Sequence, residues 1–150
     1  QRGELGRLDT TLFLFNLAQV GASLLMLVMA RRWVARRGPI LSSASLSVAC
    51  MLGFLVLDGW TGVGFAVAMS FFAGILLILI VALPPQVADS AHAGRLSAGN
   101  FTIGYTLAFF VPLLGGALAD LTANSLAAVG LILGFACLTV PVALRLRLPG

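Results

Sequence analysis

Along this chain, stretches free of Asp, Glu, Lys and Arg alternate with short connectors that are charged or turn-forming. Five such stretches stand out: Thr10 to Ala30, Ile40 to Leu57, Thr61 to Leu83, Leu96 to Ala119 and Leu121 to Leu144. About 20 residues of helix, rising 1.5 Å each, cross a hydrocarbon layer roughly 30 Å thick, so each stretch is long enough to span. An apolar segment that satisfies its own backbone groups in lipid is a helix. The pattern therefore predicts an all-α fold, a polytopic transmembrane helix bundle with spans at about 10–32, 40–57, 61–83, 97–119 and 122–144. Gly38-Pro39, Asp58-Gly59 and Pro84-Pro85 punctuate the runs, and Trp33 and Trp60 stand where amphipathic rings prefer the water interface. The short turns predict that neighbouring helices pack as antiparallel hairpins. Only the connector from Pro84 to Arg95 has room to move.

Composition narrows the class. The 150 residues are 60% hydrophobic and 9% charged, whereas a soluble domain carries about 25% charged residues. So few charges cannot cover a water-facing surface, and a soluble globular fold is excluded. Cys50 and Cys137 lie inside apolar runs without a CxxC pair, so they read as small core residues and give neither a disulfide framework nor a metal site. A cleaved signal peptide does not fit the first run, which is too long and lacks a preceding basic segment.

Taken alone the net charge of +4 suggests a nucleic-acid partner, but its distribution points to a bilayer. Arg31, Arg32, Arg36 and Arg37 follow the first span, Arg95 follows the third, and Arg145 and Arg147 follow the fifth. The opposite side receives only Arg2 and Arg7, offset by Glu4 and Asp9. The positive-inside rule then places the amino terminus outside and the carboxyl terminus in the cytoplasm.

Small residues recur every four positions on several spans: Gly62, Ala66, Ser70 and Gly74; Gly104, Ala108, Pro112 and Gly116; Gly130 and Gly134. Such ridges let helix backbones approach closely in lipid and predict tight crossings. Pro112 sits mid-span, either bending a gating helix or being accommodated by neighbours.

Polar residues at membrane depth are costly and usually face a bundle interior. Asn16, Gln19 and Ser23 share one face of the first span; Thr102, Tyr105 and Thr106 share a face of the fourth, with Asn100 nearer its end. They form either an uncharged hydrogen-bonding surface for a small polar solute or bonds between helices. No acid, base or His lies deep in a span, so this segment offers no proton relay and no counter-ion for a charged substrate. His92 and Asp89 read as a solvated pair. No catalytic arrangement, cofactor motif or metal-ligand spacing emerges, and the chain is not expected to be an enzyme. An enzyme would have only His92, Asp58, Asp89 and Asp120 to draw on.

The order of features has a further meaning. The run Met29-Ala30-Arg31-Arg32-Trp33-Val34-Ala35-Arg36-Arg37-Gly38 is followed by a short-looped hairpin. Then come Leu83-Pro84-Pro85, Arg95-Leu96-Ser97-Ala98, Gly104-Tyr105, Pro112-Leu113-Leu114-Gly115 and Ala119-Asp120. Over nearly its whole length the chain resembles helices eight to twelve of a major facilitator superfamily transporter, in the cyanate and nitroimidazole transporter branch. Arg31, Arg32, Arg36 and Arg37 match that family's cytoplasmic loop signature. Ala30 departs from it, standing where an acidic residue precedes the first arginine.

The resemblance implies a partial carboxyl-terminal six-helix half of a twelve-helix fold, whose partner is the missing amino-terminal half of the same chain. The absence of Met at position 1 agrees with a fragment. It implies transport of a small polar or anionic solute by alternating access in the cell inner membrane, with the lipid bilayer and the solute as partners. It assigns solute contacts to the first, third and fourth spans, at Asn16, Gln19, Ser70, Tyr105 and Thr106. The alternative is a small integral membrane subunit that scaffolds a complex, its polar residues serving as glue between helices.

Overall fold

The computed structural model describes the backbone of residues 2–145 and the side chains of residues 9–124 and 127–145. Six helices follow in order: α1 (Arg2–Trp33), α2 (Arg37–Val56), α3 (Gly59–Val81), the single turn α4 (Pro84–Val87), α5 (Ser90–Thr122) and α6 (Ser125–Arg145). No strand occurs among the described residues. All but α4 are long and apolar enough to cross a membrane. The surface agrees with that reading: Leu27 is 79% exposed, Val28 76% and Leu121 85%. An exterior of this kind is solvated by hydrocarbon, and the chain is an integral membrane protein.

Helix ends depart from the charge-free runs in two places. The backbone of α1 is helical from Arg2, through Glu4, Arg7 and Asp9, because a helix continues past the lipid boundary wherever water can solvate its side chains. The segment expected to be a mobile connector is mostly helical too. Pro84 and Pro85 open α4, where a proline's missing N–H leaves no bond unmade, and α5 starts at Ser90 behind Asp89. Its first turns, Ala91-His92-Ala93-Gly94-Arg95, carry no proline to stop them. The 33 residues of α5 reach about 50 Å, beyond the roughly 30 Å of hydrocarbon, so α5 tilts or projects from it. The basic tail beyond Arg145, including Arg147, lies outside the described residues.

Turns are tight and specific. Ala35 (φ 63°), between α1 and α2, and Ala123 (φ 49°), after α5, adopt the left-handed conformation. At the end of α5 the Asn124 N–H donates to Ala119 O (3.1 Å) and the Ala123 N–H to Asp120 O (3.4 Å). These bonds satisfy helix-end carbonyls in the manner of a Schellman motif, with alanine in the place glycine usually takes.

Packing runs α1, α3, α2, α6, α5, an open arc in which α3 lies between α1 and α2. The expected hairpin of α1 with α2 therefore does not form as a packed pair; α2 with α3 and α5 with α6 do pair. The reason lies in the ridge on α3. Gly62, at the start of the ridge, lies against Leu57 O and Phe54 O at the end of α2; farther along, Ser70 is buried against the Phe15 carbonyl of α1, and a Cβ placed on Gly74 would come 3.1 Å from Ala22 Cβ and 3.8 Å from Gln19 Cα. So thin a face lets α1 approach α3 more closely than it approaches α2. The core gathers at the arginine-bearing end, where Ala22 and Met26 of α1 meet Ile40, Ile75, Leu79 and Ala143.

The ridges on α5 and α6 behave otherwise. Nothing lies within 4 Å of a Cβ built at Gly104, Gly116, Gly130 or Gly134. The α5–α6 crossing uses Gly115 instead, whose added Cβ would lie 3.4 Å from Ala128 Cβ. Gly115 is the one buried residue of α5. Helical periodicity explains the shift: a ridge one residue along points about 100° away.

Candidate functional site

The polar row of α1 opens into a groove of about 730 Å³ lined by Asn16, Gln19, Val20, Ser23, Leu24, Met26, Leu27 and Ala30, with Ile78 contributed by α3. Spacings of three and four residues bring these side chains to one side of α1. Asn16 Nδ2 donates to Leu12 O (2.7 Å) and Ser23 Oγ to Gln19 O (3.0 Å), each one turn back on the same helix. Asn16 keeps its amide oxygen free among the described residues, and the Gln19 amide makes no hydrogen bond to any of them. The groove thus combines apolar walls with amide donors and acceptors that are not spent on holding helices together.

Ser70 lies elsewhere. It is 1% exposed, and its Oγ donates to Phe15 O (3.0 Å) across the α1–α3 interface. Its chemistry is that of an interhelical bond, and it is not available to a solute in the groove. Tyr105 and Thr106 are exposed on α5 and do not join the lining of this groove. Tyr105, 72% exposed, stacks on Phe101 with ring centroids 6.1 Å apart. Thr102 Oγ1 bonds Ala98 O (2.8 Å), within α5. Asn100 Nδ2 reaches Ile80 O of α3 at 3.5 Å. Of the five residues expected to contact solute, the structure brings together Asn16 and Gln19. Beside them it places Ser23, Leu24 and Leu27, which continue the same helical spacing.

The arginines occupy one end of the arc. Arg31 and Arg32 close the last turn of α1, where cations favour the helix carboxyl end. Arg36 caps α2 and Arg37 begins it. The Arg37 guanidinium donates to Leu144 O, tying the start of α2 to the end of α6. Arg31, Arg32 and Arg36 form no ion pair among the described residues. At α5, the His92 N–H donates to Asp89 O (2.9 Å) as part of the helix start. No cluster of three His, Cys, Asp or Glu side chains able to hold a metal occurs among the described residues, and both cysteines are free thiols.

Comparison with protein-family models, with curated proteins and with solved structures found no match to this chain.

Proposed function

We propose that this chain forms part of an alternating-access secondary carrier of the major facilitator type, with the α1 groove as one wall of the path taken by a small polar or anionic solute. The observation that carries the reading is the groove itself: among the described residues the Gln19 amide and the Asn16 amide oxygen have no hydrogen-bond partner, and both line an open trough on α1. Polar groups at membrane depth carry a cost when they face lipid and serve a purpose when they face a hydrated path. Their lack of charge suits recognition by hydrogen bonds. Further helices packed against α1 would close the trough, with the amino terminus outside and the arginine turns in the cytoplasm.

A membrane subunit that scaffolds a complex draws on a different observation, the open ridge of Gly104, Ala108 and Gly116 on α5. Uptake into proteoliposomes separates the two, with radiolabelled cyanate and a nitroimidazole as probes. Under the carrier reading Asn16→Ala and Gln19→Ala each lower uptake about tenfold while membrane insertion is unchanged, the loss expected for a hydrogen bond to a charged group. Equal uptake in both variants removes the groove from the path. Orientation is read by adding an impermeant thiol reagent to sealed right-side-out vesicles bearing His92→Cys in a background without native cysteines. Position 92 stays unlabelled until the membrane is opened, and labelling from outside reverses the topology.

A further inference from the structure

Beneath the arginine turn a second groove, about 270 Å³, runs between α1, α2 and α3, lined by Trp33, Pro39, Ser42, Leu46, Phe72 and Ile75 among others. From Pro39 to Leu46 it follows α2 for about 10 Å, from the charged end toward the bilayer centre. Ile75 forms its buried floor, while Leu46 stands exposed at its outer edge. Its mouth is bracketed by Trp33 and Pro39, and the residues between them in sequence include Arg36 and Arg37. Arg37 is engaged with Leu144 O. Arg31, Arg32 and Arg36 are exposed and hold no ion pair among the described residues. The acidic side chain near α2, Asp58, lies at that helix's other end. A cationic rim over a narrow apolar trough is complementary to a molecule with an anionic head and a hydrocarbon tail.

We propose that this end of the molecule holds one anionic phospholipid, its phosphate against Arg32 and Arg36 and an acyl chain in the trough beside Trp33. The site is independent of any transported solute, and it gives the free arginines a partner that neither Asp nor Glu of the described residues provides. Guanidinium groups suit phosphate because their forked donors meet two oxygens at once. The left-handed turn at Ala35 (φ 63°) carries the backbone from the end of α1 into α2, so Arg32 in the last turn of α1 and Arg36 at the start of α2 flank a single turn.

Trp33 lies in the trough and reports its own occupancy. In a Trp60→Phe background it is the sole tryptophan, and the full chain is reconstituted in phosphatidylcholine nanodiscs doped with phosphatidylglycerol brominated on its acyl chains. Quenching of Trp33 by the brominated anionic lipid should exceed that by brominated phosphatidylcholine at equal content. Arg32→Gln and Arg36→Gln should each lower that preference about fivefold, the effect of one basic residue at an anionic surface. Excess inorganic phosphate should leave the quenching unchanged. Equal quenching by the two lipids overturns the site, as does a preference that survives both substitutions. Displacement by free phosphate would show a simple anion site and overturn the lipid assignment. Helical circular dichroism of each variant, unchanged from the parent, excludes unfolding as the source of a lost preference.

Discussion

Helices α3 and α5 begin from the same instructions and meet different fates. Both are long and apolar, and both carry small residues at four-residue intervals. On α3 the ridge is packed: Gly62 lies against the end of α2 and α1 rests on Ser70 and Gly74, with Ser70 bonded to the Phe15 carbonyl. On α5 the corresponding ridge faces outward, and burial on that helix comes down to Gly115. A span's hydrophobicity therefore reports its solvent and leaves its neighbours undetermined. In water, burial would distinguish the two faces, because apolar surface is driven inward; in hydrocarbon, a packed face and a lipid face have the same composition.

Two substitution pairs test this contrast. Gly74→Leu inserts a side chain where even a Cβ meets Ala22 at 3.1 Å, and Ala22 Cβ is fixed to the α1 backbone. The variant should lose ~3 kcal/mol of stability in detergent unfolding, the upper part of the usual range for overpacking. Gly104→Leu, with open space around it, should change stability by less than about 0.5 kcal/mol. Equal losses would mean that α5 is packed as tightly as α3. Removing the hydroxyl in Ser70→Ala should cost about 1 kcal/mol, within the range measured for hydrogen bonds between membrane helices. The smallest effect belongs to Thr106→Val, which should be neutral in the same unfolding assay because Thr106 is exposed on α5. A Thr106→Val loss matching that of Ser70→Ala would place Thr106 in an interhelical bond.

The same contrast explains what could be read from sequence. The five spans were legible because a charged side chain inside hydrocarbon is so unfavourable that its absence marks the crossing. Helix ends were less so: α5 starts at Ser90 and not near residue 97, since apolarity stops at the lipid boundary while helical hydrogen bonding does not. Asn16 and Gln19 were legible as a pair, because a spacing of three residues on one helix fixes a common face. Which face that is depends on α3, and spacing is silent about neighbours. Ser70 shows the limit. A lone serine at membrane depth serves a path or an interface equally well by sequence, and here it lies against the Phe15 carbonyl. Tyr105 and Thr106 make no such bond among the described residues, and α5's separation from the α1 groove was not encoded in any local signal.

The α1 groove can be examined directly with single cysteines in a background lacking Cys50 and Cys137, using a hydrophilic, membrane-impermeant thiol reagent on the protein in liposomes. Cysteines replacing Asn16, Gln19 and Ser23 should react readily, while Phe13→Cys and Val28→Cys, exposed on α1 outside the groove lining, should stay unmodified. Uniformly unreactive cysteines at all five positions would show that the polar row faces lipid or a packed helix, and would contradict a hydrated path along α1.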